Sequence, residues 1–199
     1  MAERSTTAAS LTPGTAAPLV TYERMDHLVV LTLNNAARRN ALSRDVLALL
    51  ADQLRVIADD QGIKCVILRA AGPVFSSGHD LREIAAASHE EAQSLFALCT
   101  TVMELIRRLP QPVIAQVQGL ATAAGCQLAA TCDLVVAAED AAFATPGVKI
   151  GLFCSTPAVA LSRAVSTKKA LELLLTGEPI SAREAERLGL VNRVVPGER

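Results

Sequence analysis

Gly119-Leu120-Ala121-Thr122-Ala123-Ala124-Gly125-Cys126-Gln127 is the stretch on which the reading of this chain turns. It follows Pro112 to Val117, a short run with β-branched residues that reads as a strand, and it leads into a helix through Thr131. Small residues at such a turn let another group approach the backbone closely. The first turn of a helix also presents N–H groups without intrahelical acceptors, at the positive end of the helix dipole. A second turn of this kind lies upstream, Phe75-Ser76-Ser77-Gly78-His79-Asp80-Leu81, behind the apolar run Lys64 to Ala70. Brought together, the two turns would offer a pair of donors to one oxygen, which suits a thioester carbonyl becoming an enolate. Ordinary strand-to-helix turns explain the same spacing, so the residues alone leave both readings open.

Working outward, Leu19 to Tyr22 and Leu28 to Leu33 read as two strands, followed by a polar loop, Asn34 to Asn40, carrying Arg38 and Arg39. Ser43 is placed to cap a helix whose apolar face is Leu47, Leu50, Leu54 and Ile57. Ala71 to Asp80 reads as a loop. Ser88 and Glu91 form a capping-box pattern ahead of a helix with Phe96, Cys99, Met103 and Ile106 on one face. Leu134 to Ala138 reads as a strand, Ser166 and Ser181 as caps of two further helices, and Leu190 to Val195 as a last strand. Strand and helix alternate throughout, so the expected class is α/β. Residues 1–18, rich in Ser, Thr, Ala and Pro, are expected to form a disordered tail, and residues 19–199 one domain.

Bulk properties exclude several classes. The chain has 199 residues, of which 51% are hydrophobic but only 3% aromatic, so burial must rest on Leu, Val, Ile and Ala. The formal net charge of −1 argues against a nucleic-acid partner. No run is long and apolar enough to span a bilayer, so no membrane partner is expected. The five cysteines are scattered without a C-x-x-C pair and read as reduced thiols used for packing. The histidines, His27, His79 and His89, lie far apart, and no metal site or other cofactor is expected. G-x-S-x-G and the phosphate-binding G-x-x-x-x-G-K-[ST] are both absent. The missing secretory pattern points to a cytoplasmic protein, with a mitochondrial transit peptide as the alternative for the first 18 residues.

Four blocks in order carry a family resemblance over about Val20 to Pro196. Phe75 to Leu81 is similar to the F-x-x-G-x-D-[LI] motif of the enoyl-CoA hydratase (crotonase) superfamily, and Gly119 to Asp133 to its G-x-x-x-G-G-G-C-E-L-x-x-x-C-D block. Leu175 to Ala182 resembles L-T-G-x-x-[IF]-x-A, Gly189-Leu190-Val191 the G-L-V that follows, and Arg39-Asn40-Ala41-Leu42 the CoA-binding loop. Ala123 to Gln127 and Phe143 to Gly147 look most like the enoyl-CoA hydratase domain-containing protein 3 subgroup. The resemblance implies a crotonase-like spiral of β-β-α units and an acyl-CoA ligand or substrate, with CoA arriving as a thioester and not as a cofactor. It implies an oxyanion hole from the backbone N–H groups of His79 and Ala124. CoA would be met by Arg39, Ala41 and Leu42, and by the turns at Ser77, Gly78, His79, Asp80, Leu81 and Gly125. A homotrimer or hexamer is implied as well.

The chain departs from that pattern at the catalytic positions. Hydratases use two glutamates; Gln127 and Gly147 stand at those positions here. Gln127 can hold a water but cannot transfer a proton, and Gly147 offers no side chain. The expected activity is therefore a hydratase or isomerase with reduced or altered chemistry, or decarboxylation through the oxyanion hole alone. A non-catalytic acyl-CoA binder or regulatory subunit is the alternative. His79 stands where many relatives have a small residue, and either serves as a base or lies outside the chemistry. Cys154 is a further candidate thiol. The C-terminal helical part of the family is expected to be missing after Gly189-Leu190-Val191.

Overall fold

The computed structural model describes residues 17–197. Most of the tail expected at 1–18 lies outside the described residues. The chain opens with a hairpin, β1 (Val20–Met25) and β2 (Leu28–Leu33), paired antiparallel. Parallel to β2 run β3 (Cys65–Ala70), β5 (Val113–Val117), β7 (Leu134–Ala138) and β10 (Arg193–Val195), giving a six-stranded sheet in the order β1-β2-β3-β5-β7-β10. A second sheet holds β4 (Val74–Ser76), β6 (Leu120–Thr122), β8 (Ala142–Ala144) and the two-residue β9 (Ile180–Ser181).

The sequence climbs between these sheets in a repeating path. A long strand of the first sheet is followed by a short strand of the second, and then by a helix. β3 and β4 lead into α2 (Leu81–Ala86) and α3 (His89–Arg108), and β5 and β6 into α4 (Ala124–Thr131). β7 and β8 lead through a 3-10 turn, Pro146–Ile150, into α5 (Ser155–Ala164) and α6 (Thr167–Thr176). This is the expected spiral of β-β-α units. α1 (Arg44–Asp59) joins β2 to β3 and buries Leu47, Leu50, Leu54 and Ile57, the face read from its periodicity. α7 (Ala182–Leu188) precedes β10.

Several local readings need correction. β4, β6 and β8 are three residues each, too short for alternation to show; β4 and β6 fall inside stretches read as loop or turn. β1 extends to Met25 through exposed residues, because ladder bonds to β2 hold it and not an apolar pattern. α2 is the helix expected after the Phe75–Leu81 turn, although it buries none of its residues, whereas α5, which buries only Pro157, Ala160 and Leu161, has no apolar spacing to announce it. On α3 the capping box of Ser88 and Glu91 is present, but Leu95 and Val102 fill the core face with Cys99, Met103 and Ile106. Phe96 turns instead to His79, edge to face at 5.0 Å between ring centres. Ser166 precedes α6 without a side-chain cap bond, and the last strand begins only at Arg193.

The loop read as polar, Asn34 to Asn40, ends in a buried residue. Asn40 is 1% exposed and sits at φ +49°, a left-handed conformation that Asn tolerates better than most residues. Its Oδ1 accepts from the Asn35 N–H at 2.9 Å, and its Nδ2 donates to the carbonyls of Ala71 (2.8 Å) and Val74 (2.7 Å). Its own carbonyl accepts from Ser76 Oγ at 2.8 Å. One amide thereby ties the loop after β2 to both ends of the turn before β4.

Replacing Asn40 with Ala leaves two carbonyls and one N–H, all part-buried, without protein partners, and it puts an unsuited residue at positive φ. Each such orphan costs on the order of 1–3 kcal/mol, so Asn40→Ala is expected to lower unfolding free energy by about 3 kcal/mol or more. Asn34→Ala, which removes one exposed bond to the Pro18 carbonyl, is expected to cost under about 1 kcal/mol. Urea unfolding of the two variants checks the contrast.

Candidate functional site

The two glycine turns meet. A Cβ on Gly78 would lie 2.9 Å from Ala123 Cβ, 3.0 Å from the Thr122 carbonyl and 3.1 Å from the Ala124 nitrogen. A Cβ on Gly125 would lie 2.7 Å from Ser76 Cβ and closer still to the Ser76 carbonyl oxygen. Only residues without side chains let β4 and the first turn of α4 pack backbone to backbone at these points. Gly78 also takes φ +83°, which favours glycine by itself. Ser77, Gly78, His79, Ala124 and Gly125, five of the residues singled out in the sequence, are thus brought to one place.

Ala124 is the first residue of α4, where no intrahelical acceptor exists for its N–H. The residue before it is strained. Ala123 has φ +52° and ψ −121°, a region where glycine alone is comfortable, and its N–H is fixed to the Ala144 carbonyl of β8 at 2.9 Å. In the family block quoted above this position is a glycine. Such strain costs of order 1–3 kcal/mol and persists only where surrounding contacts over-determine it.

The loop at residues 39–42 packs on the same turn through its backbone. Ser77 N–H donates to the Arg39 carbonyl at 3.0 Å, and Leu42 N–H to the Gly78 carbonyl at 2.8 Å. The side chains of Ala41 and Leu42 are buried, so of this loop's ligand candidates only Arg39 presents its side chain to solvent. Asp80 caps α2 by accepting from the Arg82 N–H at 3.0 Å and pairs with Arg38 at 3.7 Å. Its role is structural on both counts. Leu81 is exposed.

His79 is held in one neutral tautomer. Its Nδ1 lies 3.2 Å from the Leu42 carbonyl, an acceptor only, so Nδ1 carries the hydrogen. Nε2 is then the lone-pair nitrogen, and it is buried without a partner among the described residues. Burial pushes the imidazole below its ordinary value of 6.5, against smaller opposing effects from the Leu42 bond and Glu83.

The two glutamate positions differ in what they permit. Gln127, 6% exposed, lies one turn along α4 from Ala124, and its amide makes no side-chain bond among the described residues. Gly147 is buried in the turn Pro146–Ile150. A Cβ there would overlap the Leu152 carbonyl oxygen and lie 2.7 Å from Cys154 Sγ. A glutamate cannot be restored at 147 without moving backbone. Burial raises the Cys154 thiol above its ordinary value and disfavours its thiolate, against a smaller opposing effect from the Gly147 backbone. Cys99 and Cys126 are pushed up to about 12 by the same cause. No cluster of potential metal ligands occurs among the described residues, and no helix there is long and apolar enough to cross a membrane.

Sequence reasoning missed three residues of this site. Asn40 and Ser76, the latter donating to Asn40 and accepting from the Gly78 N–H at 3.2 Å, carried no signal beyond being polar. Ala123 was visible as an alanine where the block has glycine.

The family model described as enoyl-CoA hydratase/isomerase matches residues 23–199. Enoyl-CoA hydratase domain-containing protein 3, mitochondrial, of Rattus norvegicus is 50% identical over 196 residues, which cover 94% of this chain and 65% of that protein. The chain therefore spans just under two thirds of the length of this relative. A putative enoyl-CoA hydratase of Thermus thermophilus is 40% identical over 173 residues, 85% of this chain and 68% of the relative. Among solved structures, the enoyl-CoA hydratase of Mycobacterium smegmatis superposes with a TM-score of 0.89 at 53% identity, over 90% of this chain and 71% of that one. Human enoyl Coenzyme A hydratase domain-containing protein 3 gives 0.84 at 50% identity, over 89% and 71%.

Two outcomes follow from this geometry. Relief of strain makes Ala123→Gly a stabilising change of about 1 kcal/mol, after the entropy that a glycine adds to the unfolded chain; thermal unfolding reads it. His79 binds its proton more weakly folded than unfolded, so the unfolded state holds more protons below about pH 6.5 and stability falls as pH drops through that value. His79→Gln should flatten that part of the stability–pH curve, measured by urea unfolding between pH 7.5 and pH 5 (~ values bracketing the ordinary histidine range).

Proposed function

This chain belongs to the enoyl-CoA hydratase/isomerase family, and we propose that it binds an acyl-CoA thioester and acts on it, where it acts, through enolate stabilisation without a carboxylate pair. The observation that supports this reading is the backbone contact of the two turns at Gly78 and Ala123–Gly125, from which the N–H groups of His79 and Ala124 would both reach one oxygen. A thioester carbonyl oxygen placed between them gains two donors that are fixed before charge develops on it. Arg39 is exposed to meet the phosphates of CoA.

The missing glutamates decide the chemistry. A positioned general acid or base contributes about 10²–10⁴-fold, and hydration needs both to direct one water. Gln127 can hold that water but cannot take its proton. Decarboxylation of a malonyl-type thioester has no such need. The bond from Cα to the carboxylate breaks, CO₂ leaves, and its electron pair becomes the enolate whose oxygen the two N–H groups hold; a solvent proton then completes Cα. The second reading, a non-catalytic acyl-CoA binder or regulatory subunit, is favoured by the same vacancy at Gln127 and Gly147.

A homotrimer or hexamer remains part of the proposal, supported by an exposed apolar group near the end of the fold, Ile150 (63% exposed), Phe153 (47%) and Leu175 (60%). The word mitochondrial belongs to the named rat relative; for this chain a cytoplasmic place stands as a proposal.

Calorimetry with acetyl-, crotonyl- and malonyl-CoA, with mass spectrometry of the recovered ligand, tests the reading. Saturable binding is expected for the esters. Hydration of crotonyl-CoA is expected to be slower by about 10⁴-fold or more than in a relative with both glutamates. Loss of CO₂ from malonyl-CoA would identify the reaction; binding without any conversion would assign the binder. A protein that binds none of the three refutes the proposal.

A further inference from the structure

Beyond Gln127, away from the donor pair, lies a cavity of about 470 Å³ between α3, α4 and α5. Its walls are unlike those of a hydrocarbon pocket. Met103, Ala130, Val159 and Ala160 supply apolar surface, but Thr100, Thr131 and Thr156 bring hydroxyls and Gln127 its unbonded amide. Two arginines reach it from opposite sides, Arg107 from α3 and Arg163 from α5. Neither has a carboxylate within 4 Å among the described residues. The acid on the wall, Glu104, is already paired with Arg108 at 3.4 Å. The cavity therefore mixes apolar and polar lining and opens to solvent with an excess of positive charge, whereas pockets for plain acyl chains are predominantly apolar and uncharged.

The position of this cavity relative to the donor pair gives its meaning. Ala124, Gln127 and Thr131 follow at spacings of three and four along α4, so they share one face. At the helical rise, Gln127 lies about 4.5 Å and Thr131 about 10 Å along the axis from Ala124. A thioester held at Ala124 would run its chain past Gln127 and end between the arginines.

We propose that the acyl group this site selects carries a second carboxylate at its far end, a dicarboxylic acyl-CoA of medium length, with Arg107 and Arg163 as the residues that recognise it. The inference rests on the acyl-CoA reading above. A carboxylate entering the cavity exchanges hydration for charge-assisted hydrogen bonds to guanidinium and to the Gln127 amide. An uncharged methyl end leaves the two exposed guanidiniums with water and the Gln127 amide without a partner, and that difference is the source of selectivity.

Adipyl-CoA and hexanoyl-CoA, equal in carbon count, differ only at that end, and calorimetry with the whole chain compares them. Adipyl-CoA is expected to bind about tenfold or more tighter, an advantage that shrinks as salt is raised. Arg107→Ala and Arg163→Ala should each cut the advantage severalfold, with Arg107→Lys keeping part of it because it retains the charge without the planar fork. Equal affinity for the two esters, or preference for hexanoyl-CoA, overturns the inference and leaves the acyl-CoA reading standing. Binding of neither overturns both. Retention of the full adipyl advantage in both alanine variants also refutes the assignment to these arginines.

Discussion

Asn40 holds the site together because its buried amide satisfies three part-buried backbone groups at once. It accepts from the segment that leaves β2 and donates to both ends of the turn before β4, and its carbonyl anchors Ser76. Ser76 in turn accepts from the Gly78 N–H, and Gly78 packs on Ala124. The chain from one buried amide to the donor turn is continuous and involves no flexible side chain. A left-handed residue, a serine hydroxyl and a missing Cβ thereby fix the position of a peptide N–H, a precision that long side chains with rotamer freedom do not give.

The chemistry available at the site is governed by what can and cannot be charged there. The neutral tautomer of His79 is set by its Leu42 bond, and its burial disfavours the imidazolium. The buried thiols stay protonated. Gln127 does not titrate. Backbone donors at the proposed oxyanion hole would thus work in a setting with little competing charge, where a fixed dipole exerts more influence than it would in water. At 147 the fold has closed over the position: the Leu152 carbonyl and the Cys154 sulfur fill the room where a side chain would start. The course of the backbone therefore leaves no room for a side chain at 147.

Much of the fold is legible in the sequence wherever an apolar stripe is long. α1 with its four-residue face, the capping box of α3, and the long strands β2, β3 and β7 can all be read from spacing. The second sheet cannot, because strands of three residues carry no period and are stabilised by neighbours distant in sequence, as β4 is by β6. Of the site, the two turns and the residues at 127 and 147 are legible once the four blocks are seen together. Asn40 is not, since a polar residue at the end of a polar loop gives no sign that the loop folds inward. The burial of Ala41 and Leu42 is hidden in the same way: their side chains face the core, and the loop meets its neighbours by backbone. Phe96 shows a further limit. Periodicity places it within one residue of the core face but cannot say that His79 is the neighbour waiting there.

The glycine contacts between the turns have a consequence for how such a protein can diversify. Positions 78 and 125 admit no side chain, so the donor geometry is closed to gradual change: each single substitution meets backbone atoms at once. The far walls, by contrast, are made of side chains on helices whose opposite faces are already committed to the core, and those side chains vary without disturbing the turns. Inheritance is thus split between a part that is nearly frozen and a part that drifts freely. New substrate preferences can accumulate on the second while the first passes unaltered through lineages that no longer share a reaction.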